Sequence, residues 1–225
     1  MPKYFLRFVL GVLDTNTYLV YDSDSLDAVV IDVGGDPSEV LDWVRRLDLR
    51  VHAVLATHGH FDHVLGAGAV RRALGVPLYM HRDDVQVAEE TLSWYSRAFG
   101  GDVGKLEVDY ALAGDCTLRF GSLELHVIHT TGHTPGSVSI YVPDLQALFS
   151  GDTLFAGTVG RTDLPGGSER ALAESIRKIF RTLPLDTYVH PGHGPSTTLR
   201  RELRANPFVE DALAEGAGAQ DLEKP

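Results

Sequence analysis

The chain has 225 residues, 44% of them apolar and 23% charged, with a formal net charge of −11. These values are typical of an ordinary globular protein, and the acidic balance argues against a nucleic-acid-binding protein, because affinity for phosphate backbones comes from clustered Lys and Arg. The single cysteine, Cys116, excludes an intrachain disulfide and fits a reducing compartment. Since we find neither a secretory cleavage pattern nor a membrane-spanning run, the sequence predicts a cytoplasmic protein that does not bind membranes.

The N-terminal part of the chain predicts a β-meander followed by a helix. The helix begins with Asp36 as the N-cap, Pro37 at the first helical position and Glu39 closing a capping box. Asp32, near the end of the third strand, either orients a ligand histidine or caps a turn. The predicted strands are residues 4–12, 17–21 and 28–33.

A short apolar run, residues 51–56, predicts a strand buried on both faces. It is followed by four potential metal ligands within six residues: His58, His60, Asp62 and His63. If the chain stays extended through Gly59, His58 and His60 lie on the same side and converge on one ion. The next two ligands fall on the following turn and face a second ion.

The rest of the chain alternates strands and helices without a linker, which predicts one α/β domain over residues 1–215 and a disordered tail over 216–225. The last helix has a break at Asn206-Pro207. The aromatic residues Trp94, Tyr95 and Phe99 either pack inward or roof a pocket, and their helical spacing favours packing into the core. The predicted helices are residues 64–74, 82–99, 168–183 and 199–215, and the predicted strands are 76–80, 123–130, 137–142, 147–150 and 187–189.

Three more candidate ligands, His133, Asp152 and His193, each follow an apolar strand and lie in a loop rich in Gly, Pro or Thr. Strand ends at one edge of a sheet bring their loops together, so seven ligands can meet. Seven ligands suit two neighbouring ions. The predicted partition gives His58, His60 and His133 to the first ion and Asp62, His63 and His193 to the second, with Asp152 bridging both.

Four motifs are similar, in order and spacing, to the metal motifs of the metallo-β-lactamase superfamily. They are Thr-His-Gly-His-Phe-Asp-His (57–63), Thr-Gly-His-Thr-Pro-Gly-Ser (131–137), Ser-Gly-Asp-Thr-Leu-Phe (150–155) and Pro-Gly-His-Gly-Pro (191–195). Within the superfamily, residues 160–167 and Asn206-Pro207-Phe208 resemble the glyoxalase II (hydroxyacylglutathione hydrolase) branch, in its small single-domain bacterial form. The resemblance implies a four-layer αββα sandwich with a dinuclear site at one edge.

The resemblance also implies a metal-dependent thioesterase that cleaves S-lactoylglutathione or a related acyl thioester with a bridging hydroxide. Asp62 would orient the hydroxide as well as bind metal, and Arg161 stands where the branch has a substrate-binding Lys. Asp163 and Gly194-Pro195 replace tyrosine-bearing positions of the branch, and only about thirty residues follow His193. Two divalent ions are implied, with Zn²⁺ as the first choice and iron or manganese as alternatives.

Three other activities of the superfamily are alternatives to the thioesterase. A persulfide dioxygenase would hold one iron with His58, His133 and Asp152, and Gly-Arg-Thr-Asp (160–163) also resembles that group. A nuclease shares the first motif, but the acidic charge argues against it. A secreted β-lactamase is disfavoured because we find no signal peptide.

Overall fold

Two six-stranded sheets face each other in the computed structural model, which describes residues 2–100 and 103–220. Along the first sheet lie, in order, β1 (Lys3–Leu10), β2 (Thr15–Asp22), β3 (Asp27–Ile31), β4 (Arg50–Leu55), β5 (Leu78–His81) and β6 (Tyr110–Leu112). The second sheet holds β7 (Cys116–Phe120), β8 (Leu123–His129), β9 (Val138–Val142), β10 (Ala147–Gly151), β13 (Tyr188–Pro191) and β14 (Thr197–Thr198). A small hairpin pairs β11 (Leu154–Phe155) with β12 (Thr158–Val159).

Helices cover the outer face of each sheet. Against the first sheet lie α1 (Ser38–Arg46), α2 (Phe61–Val64), α3 (Ala67–Leu74) and α4 (Val85–Phe99), and against the second lie α5 (Glu169–Thr182), α6 (Leu199–Ala205) and α7 (Pro207–Gln220). One apolar core fills the space between the sheets, and one lies beneath each helical layer. The predicted four-layer αββα sandwich is therefore confirmed. Within the described residues, no helix is both long and apolar enough to span a membrane.

The predicted helix over residues 64–74 corresponds to α3, which begins three residues later, at Ala67, because the chain passes close to the first sheet at Gly66. A Cβ atom on Gly66 would lie 2.1 Å from the carbonyl oxygen of Gly35. The Gly66 amide also donates to the carbonyl of Val33 (2.9 Å). This tight contact lies between the end of α2 and the start of α3.

The predicted capping box at the start of α1 is wrong. Asp36 accepts hydrogen bonds from the amide (3.0 Å) and the hydroxyl (2.6 Å) of Ser38, two residues on, and no side chain caps the first turn. An Asx turn thus replaces the N-cap, since a short Asp side chain bonds its own neighbours readily.

Other differences lie at short or terminal elements. The sequence patterns missed strands β6 and β7, whereas the break at Asn206-Pro207 is confirmed by the end of α6 at Ala205 and the start of α7 at Pro207. Helix α7 continues to Gln220, past the predicted start of the tail at Gly216. The predicted disorder of residues 221–225 lies outside the described residues.

The core packing predicted for the aromatic residues of α4 is also wrong for two of them. The side chains of Trp94 and Phe99 are 50% and 59% exposed. Tyr95 is half-buried. The inward face of the helix is instead formed by Ala88 and Leu92, which are buried.

A buried ionic cluster joins the two sheets. The carboxylate of Asp22 accepts hydrogen bonds from Lys3 Nζ (2.5 Å) and, across the gap between the sheets, from Ser122 Oγ (2.8 Å). The amides of Asp24 and Ser25 donate to its other oxygen. These bonds, led by the one from Lys3, hold the pKa of Asp22 well below its ordinary value.

We expect Asp22→Asn to lower the free energy of unfolding at neutral pH by about 2 kcal/mol, because buried hydrogen bonds to a charged group contribute energies of that order. A carboxyl with a depressed folded-state pKa stabilises the fold above its unfolded pKa and loses that contribution as the pH falls through its folded pKa. The deficit of the variant should therefore shrink as the pH is lowered from about 5 to about 2 in urea unfolding experiments. Asp24→Asn, an adjacent exposed site, is the control, and a deficit that is equal at every pH would contradict the assignment.

Candidate metal centre

Four loops meet at one edge of the sandwich, and each follows the C-terminal end of a strand. The loop after β4 carries residues 58–63, and the loops after β8, β10 and β13 carry His133, Asp152 and His193. Strands β8, β10 and β13 run in the same direction, so their C-terminal ends lie along the same edge. The strand order of the second sheet thus brings three distant motifs beside the first.

The first ligand set consists of three histidines. Nδ1 of His60 lies 3.2 Å from Nε2 of His58 and 2.9 Å from Nε2 of His133. The three rings are nearly perpendicular in pairs, with interplanar angles of 80° to 89°. Three ring nitrogens therefore face one point, as the spacing of His58 and His60 predicted for that pair.

The second ligand set consists of Asp62, His63 and His193. Nε2 of His193 lies 3.1 Å from Oδ2 of Asp62 and 3.3 Å from Nε2 of His63. Asp62 and His63 come from the single turn of α2, which places both side chains on the side of the β13 loop. The two sets are in contact, since the ring centroids of His58 and His63 are 4.0 Å apart.

Asp152 lies between the two sets. Its Oδ1 is 3.4 Å from Nε2 of His63, and its Oδ2 is 3.6 Å from Nε2 of both His133 and His193. The close approach depends on Gly192, since a Cβ atom there would lie 2.3 Å from Oδ1 of Asp152. This oxygen is buried and has no hydrogen-bond partner among the described residues.

A pair of divalent cations fits this donor set. The sets combine imidazole nitrogens with carboxylate oxygens, which suit zinc and iron. Ring nitrogens that face one another at hydrogen-bond distance cannot all carry protons, and an unpartnered buried carboxylate oxygen is costly unless a cation satisfies it. His58, His60 and His133 would hold one ion, Asp62, His63 and His193 the other, and Asp152 would be shared.

The pKa values of the histidines reflect two different surroundings. Burial, together with the neighbouring imidazoles, lowers the pKa of His60 to about 4 and that of His58 well below its ordinary value. These rings are neutral at pH 7, as metal ligands must be. Burial also opposes the charged form of His63, but the carboxylates around it outweigh this effect and hold its pKa well above the ordinary value. The second set thus carries negative charge that a cation would neutralise in place of a proton.

Three of the histidines are oriented by an acceptor at their other ring nitrogen. Nδ1 of His63 lies 2.8 Å from a carboxylate oxygen of Asp32, so Asp32 orients a ligand histidine, which was one of its two predicted roles. Nδ1 of His133 donates to the carbonyl of Arg161 (2.8 Å), and Nδ1 of His193 to that of Leu13 (3.1 Å). Such contacts fix the tautomer that leaves Nε2 free to bind a metal.

Asp84 is a residue of the centre that the sequence analysis missed. Its buried carboxylate accepts hydrogen bonds from the Gly59 amide (2.7 Å), the Gly136 amide (2.6 Å) and the Thr134 hydroxyl (2.6 Å). It therefore ties the loop of His58 and His60 to the loop of His133. In the sequence, it is the second of two aspartates before a helix, a pattern that indicates only an N-cap.

Arg161, the predicted substrate-binding cation, lies beside the first set but its side chain is paired. Its Nε and Nη2 donate to the two carboxylate oxygens of Asp163 at 2.7 and 2.8 Å. On the other side it borders a cavity of about 600 Å³ between α5 and α7, also lined by Leu172 and Phe208. The contact of Arg161 with the centre is made by its carbonyl group.

Another group of potential ligands, His81, Asp83 and His129, lies outside the centre. The rings of His81 and His129 are stacked, with centroids 4.0 Å apart and planes 18° apart. The lone pair of a ring nitrogen lies in the plane of its imidazole ring. Because the two rings are stacked in nearly parallel planes, one ion cannot lie in the planes of both, so the two rings cannot both bind it. We therefore interpret this pair as packed side chains.

Comparisons with known proteins agree with the geometry. The family model described as "Metallo-beta-lactamase superfamily" matches residues 10–193. The Bacillus subtilis protein named "Probable metallo-hydrolase YqgX" is 36% identical over 90% of this chain and 96% of its own length. The "Hydroxyacylglutathione hydrolase GloC" of Haemophilus influenzae is 32% identical over 86% of this chain and 92% of its own.

Solved structures are similar as well. BLEG-1, described as a B3 metallo-β-lactamase, is 39% identical, with a TM-score of 0.84 over 92% of this chain and 99% of that one. TTHA1623, solved in a di-iron-bound form, is 40% identical, with a TM-score of 0.79 over 90% and 99%. ETHE1 from Myxococcus xanthus is 27% identical, with a TM-score of 0.76 over 99% and 92%. With the sandwich fold, the two ligand sets and these matches in agreement, the chain belongs to the metallo-β-lactamase superfamily of metal-binding hydrolases.

Proposed function

We propose that this protein is a thioesterase of the glyoxalase II type with a dinuclear metal site, Zn²⁺ being the first choice of metal. The observation that carries the proposal is that Asp152 joins two complete ligand sets. A single-iron dioxygenase site would use His58, His133 and Asp152 and would leave the other four ligands without a role. The similarity to a relative named hydroxyacylglutathione hydrolase supports the thioester as the substrate.

The metal pair, when bound, would supply a hydroxide at neutral pH and polarise a carbonyl group. The residues of the chain set the geometry for this chemistry. Asp62, which accepts a hydrogen bond from Thr15 Oγ1 (3.1 Å), is fixed where it can orient the attacking water. A thiolate is a good leaving group because its pKa is low, so the reaction needs no strong general acid.

Arg161 is proposed to hold a carboxylate of the substrate. To do so it would have to exchange its bonds to Asp163 for bonds to the substrate. Arg is suited to this role because its guanidinium group binds carboxylates through two parallel hydrogen bonds.

The test is elemental analysis of protein purified without chelators, combined with an assay of thiol release from S-lactoylglutathione and simpler acyl thioesters. We expect two ions per chain, mainly zinc, and thiol release that is lost on dialysis against a chelator and restored by metal. Metal-loaded protein that releases no thiol from any of these substrates would contradict the proposal.

The same preparations discriminate the competing activities. One iron per chain, with oxygen uptake in the presence of a glutathione persulfide and no thiol release, would support the persulfide dioxygenase instead. A chromogenic cephalosporin belongs in the assay because BLEG-1 is described as a β-lactamase. Hydrolysis of the cephalosporin alone would replace the thioester with a β-lactam as the substrate.

A further inference from the structure

Four aromatic side chains of α2 and α4 form a continuous stack, which we call the aromatic ridge: Phe61, Trp94, Tyr95 and Phe99. The ring of Phe61 stacks on that of Tyr95, with centroids 5.0 Å apart, and lies 5.7 Å from that of Trp94. The ring of Phe99 lies 5.0 Å from that of Tyr95 and 5.9 Å from that of Trp94. Each ring contacts at least two others, so the ridge is one packed surface.

The ridge is joined to the metal centre through the chain. In the sequence, Phe61 stands between His60 of the first ligand set and Asp62 of the second. The hydroxyl of Thr91 donates to the carbonyl of Gly59 (2.8 Å), which fixes α4 against the loop that carries His58 and His60. Trp94 and Tyr95 follow Thr91 by three and four residues and therefore share its face of the helix.

The outer end of the ridge is open to solvent. Trp94 is 50% exposed and Phe99 59% exposed. Aromatic side chains gain much from burial, so exposed aromatic side chains close to a site are suited to bind part of a ligand. The exposed part of the ridge is therefore available to a group attached to the reacting carbonyl.

The charged side chains near the ridge are bonded to other residues of the chain. On α4, Glu90 lies one turn before Trp94 and accepts a hydrogen bond from Gln86 Nε2 (2.7 Å), and Arg97 donates to the hydroxyl of Ser93 one turn earlier (2.7 Å). Arg161, on the other side of the centre, is paired with Asp163. The part of α4 that packs on Phe61 is aromatic, which favours an apolar group over a charged one.

We propose that the aromatic ridge binds the acyl group of the thioester substrate and that this group is apolar, aliphatic or aromatic. The inference rests on the thioesterase function proposed above. Carrier thiols of biological thioesters are polar and favour solvent, so the acyl side of the thioester is the part that matches an apolar surface. Trp94 and Phe61 are the residues that would set specificity.

The test compares thioesters that share one leaving group, N-acetylcysteamine, and differ in the acyl group: acetyl, hexanoyl and phenylacetyl. We expect kcat/KM of the metal-loaded enzyme to rise at least about tenfold from acetyl to hexanoyl, because each buried methylene adds to binding. Trp94→Ala should remove most of this rise, so that the ratio of its hexanoyl to its acetyl kcat/KM falls toward one. Comparing two substrates within one variant cancels differences in the amount of folded, metal-loaded enzyme.

Tyr188→Ala is the matched control, since Tyr188 is 54% exposed at the start of β13, at the opposite end of that strand from the His193 loop. Equal kcat/KM values for the three substrates would overturn the inference, as would the same loss of preference in Trp94→Ala and Tyr188→Ala. A third result would also overturn the inference: equal kcat/KM values for the three substrates, together with a dimer in sedimentation experiments that Trp94→Ala dissociates. A second copy of the chain would then cover the ridge.

Binding measured without catalysis separates this inference from the proposed function. S-hexyl-N-acetylcysteamine, a thioether that cannot be hydrolysed, should quench the fluorescence of Trp94 in the wild type and not that of the remaining Trp43 in Trp94→Phe. Quenching without hydrolysis of any thioester would overturn the thioesterase and support an apolar site at the ridge. Hydrolysis without quenching and without acyl preference would support the thioesterase and overturn the ridge.

Discussion

Asp152→Ala is expected to lose both metal ions together and to lower thiol release by at least about 1,000-fold. The physical reason is its place between the ligand sets, with one oxygen near His63 and the other near both His133 and His193. Removing it leaves each set with three ligands and removes the negative charge that two neighbouring cations share. Metal ions contribute several kcal/mol to hydrolysis, and about 1.4 kcal/mol corresponds to tenfold in rate.

Metal content per chain, measured beside activity, checks this prediction. Asp186→Ala is the control, because Asp186 is exposed and pairs with Arg200. This variant should keep two ions and full activity. Two tightly bound ions in Asp152→Ala, or substantial remaining activity, would contradict the bridging role. Loss of a single ion would assign Asp152 to one set only.

Asp84→Asn is expected to weaken metal binding by the first ligand set about 10- to 100-fold, the size of effect that supporting residues have in other metal sites. Each oxygen of Asp84 accepts from a backbone amide, Gly136 at Oδ1 and Gly59 at Oδ2. In either orientation of an asparagine, its NH₂ group would face one of these N–H donors. The loops of His58, His60 and His133 would then lose their common support.

Titration with zinc against a competing chelator resolves the two affinities. Asp83→Asn, an exposed neighbour, is the control, and Asp32→Asn should affect the second set through His63. Equal weakening of both sets in Asp84→Asn would show a general loss of structure, which a lower melting temperature of the metal-free variant would reveal. Unchanged affinity of the first set would contradict a positioning role for Asp84.

The residue patterns were sufficient to predict one α/β domain and to place all seven candidate ligands in loops that directly follow apolar strands, whereas the four-layer sandwich was predicted through the resemblance to the metallo-β-lactamase superfamily. Local patterns such as short apolar runs and Gly-rich turns carry the information about the loops. The His58–His60 pair shows this well, since both the strand before it and its spacing are visible in the sequence.

Asp84 and Gly66 show what local patterns do not reveal. The role of Asp84 depends on loops 25 and 50 residues away, and the break at Gly66 depends on the approach of Gly35. For Trp94, core packing was favoured over the roof of a pocket, because helical spacing alone does not distinguish a face that packs on a sheet from an exposed face. In each case the deciding contact is distant in the sequence.

The division of the ligands between the two sheets has a consequence for folding. Each ligand set takes residues from the loop after β4 in the first sheet and from a loop of the second, so neither half of the chain can form a complete site alone. Docking of the two halves is therefore thermodynamically linked to metal binding, since a ligand that binds only the native state stabilises it by mass action. With metal bound, the centre would connect the two sheets, so separating the sheets would require breaking metal–ligand bonds.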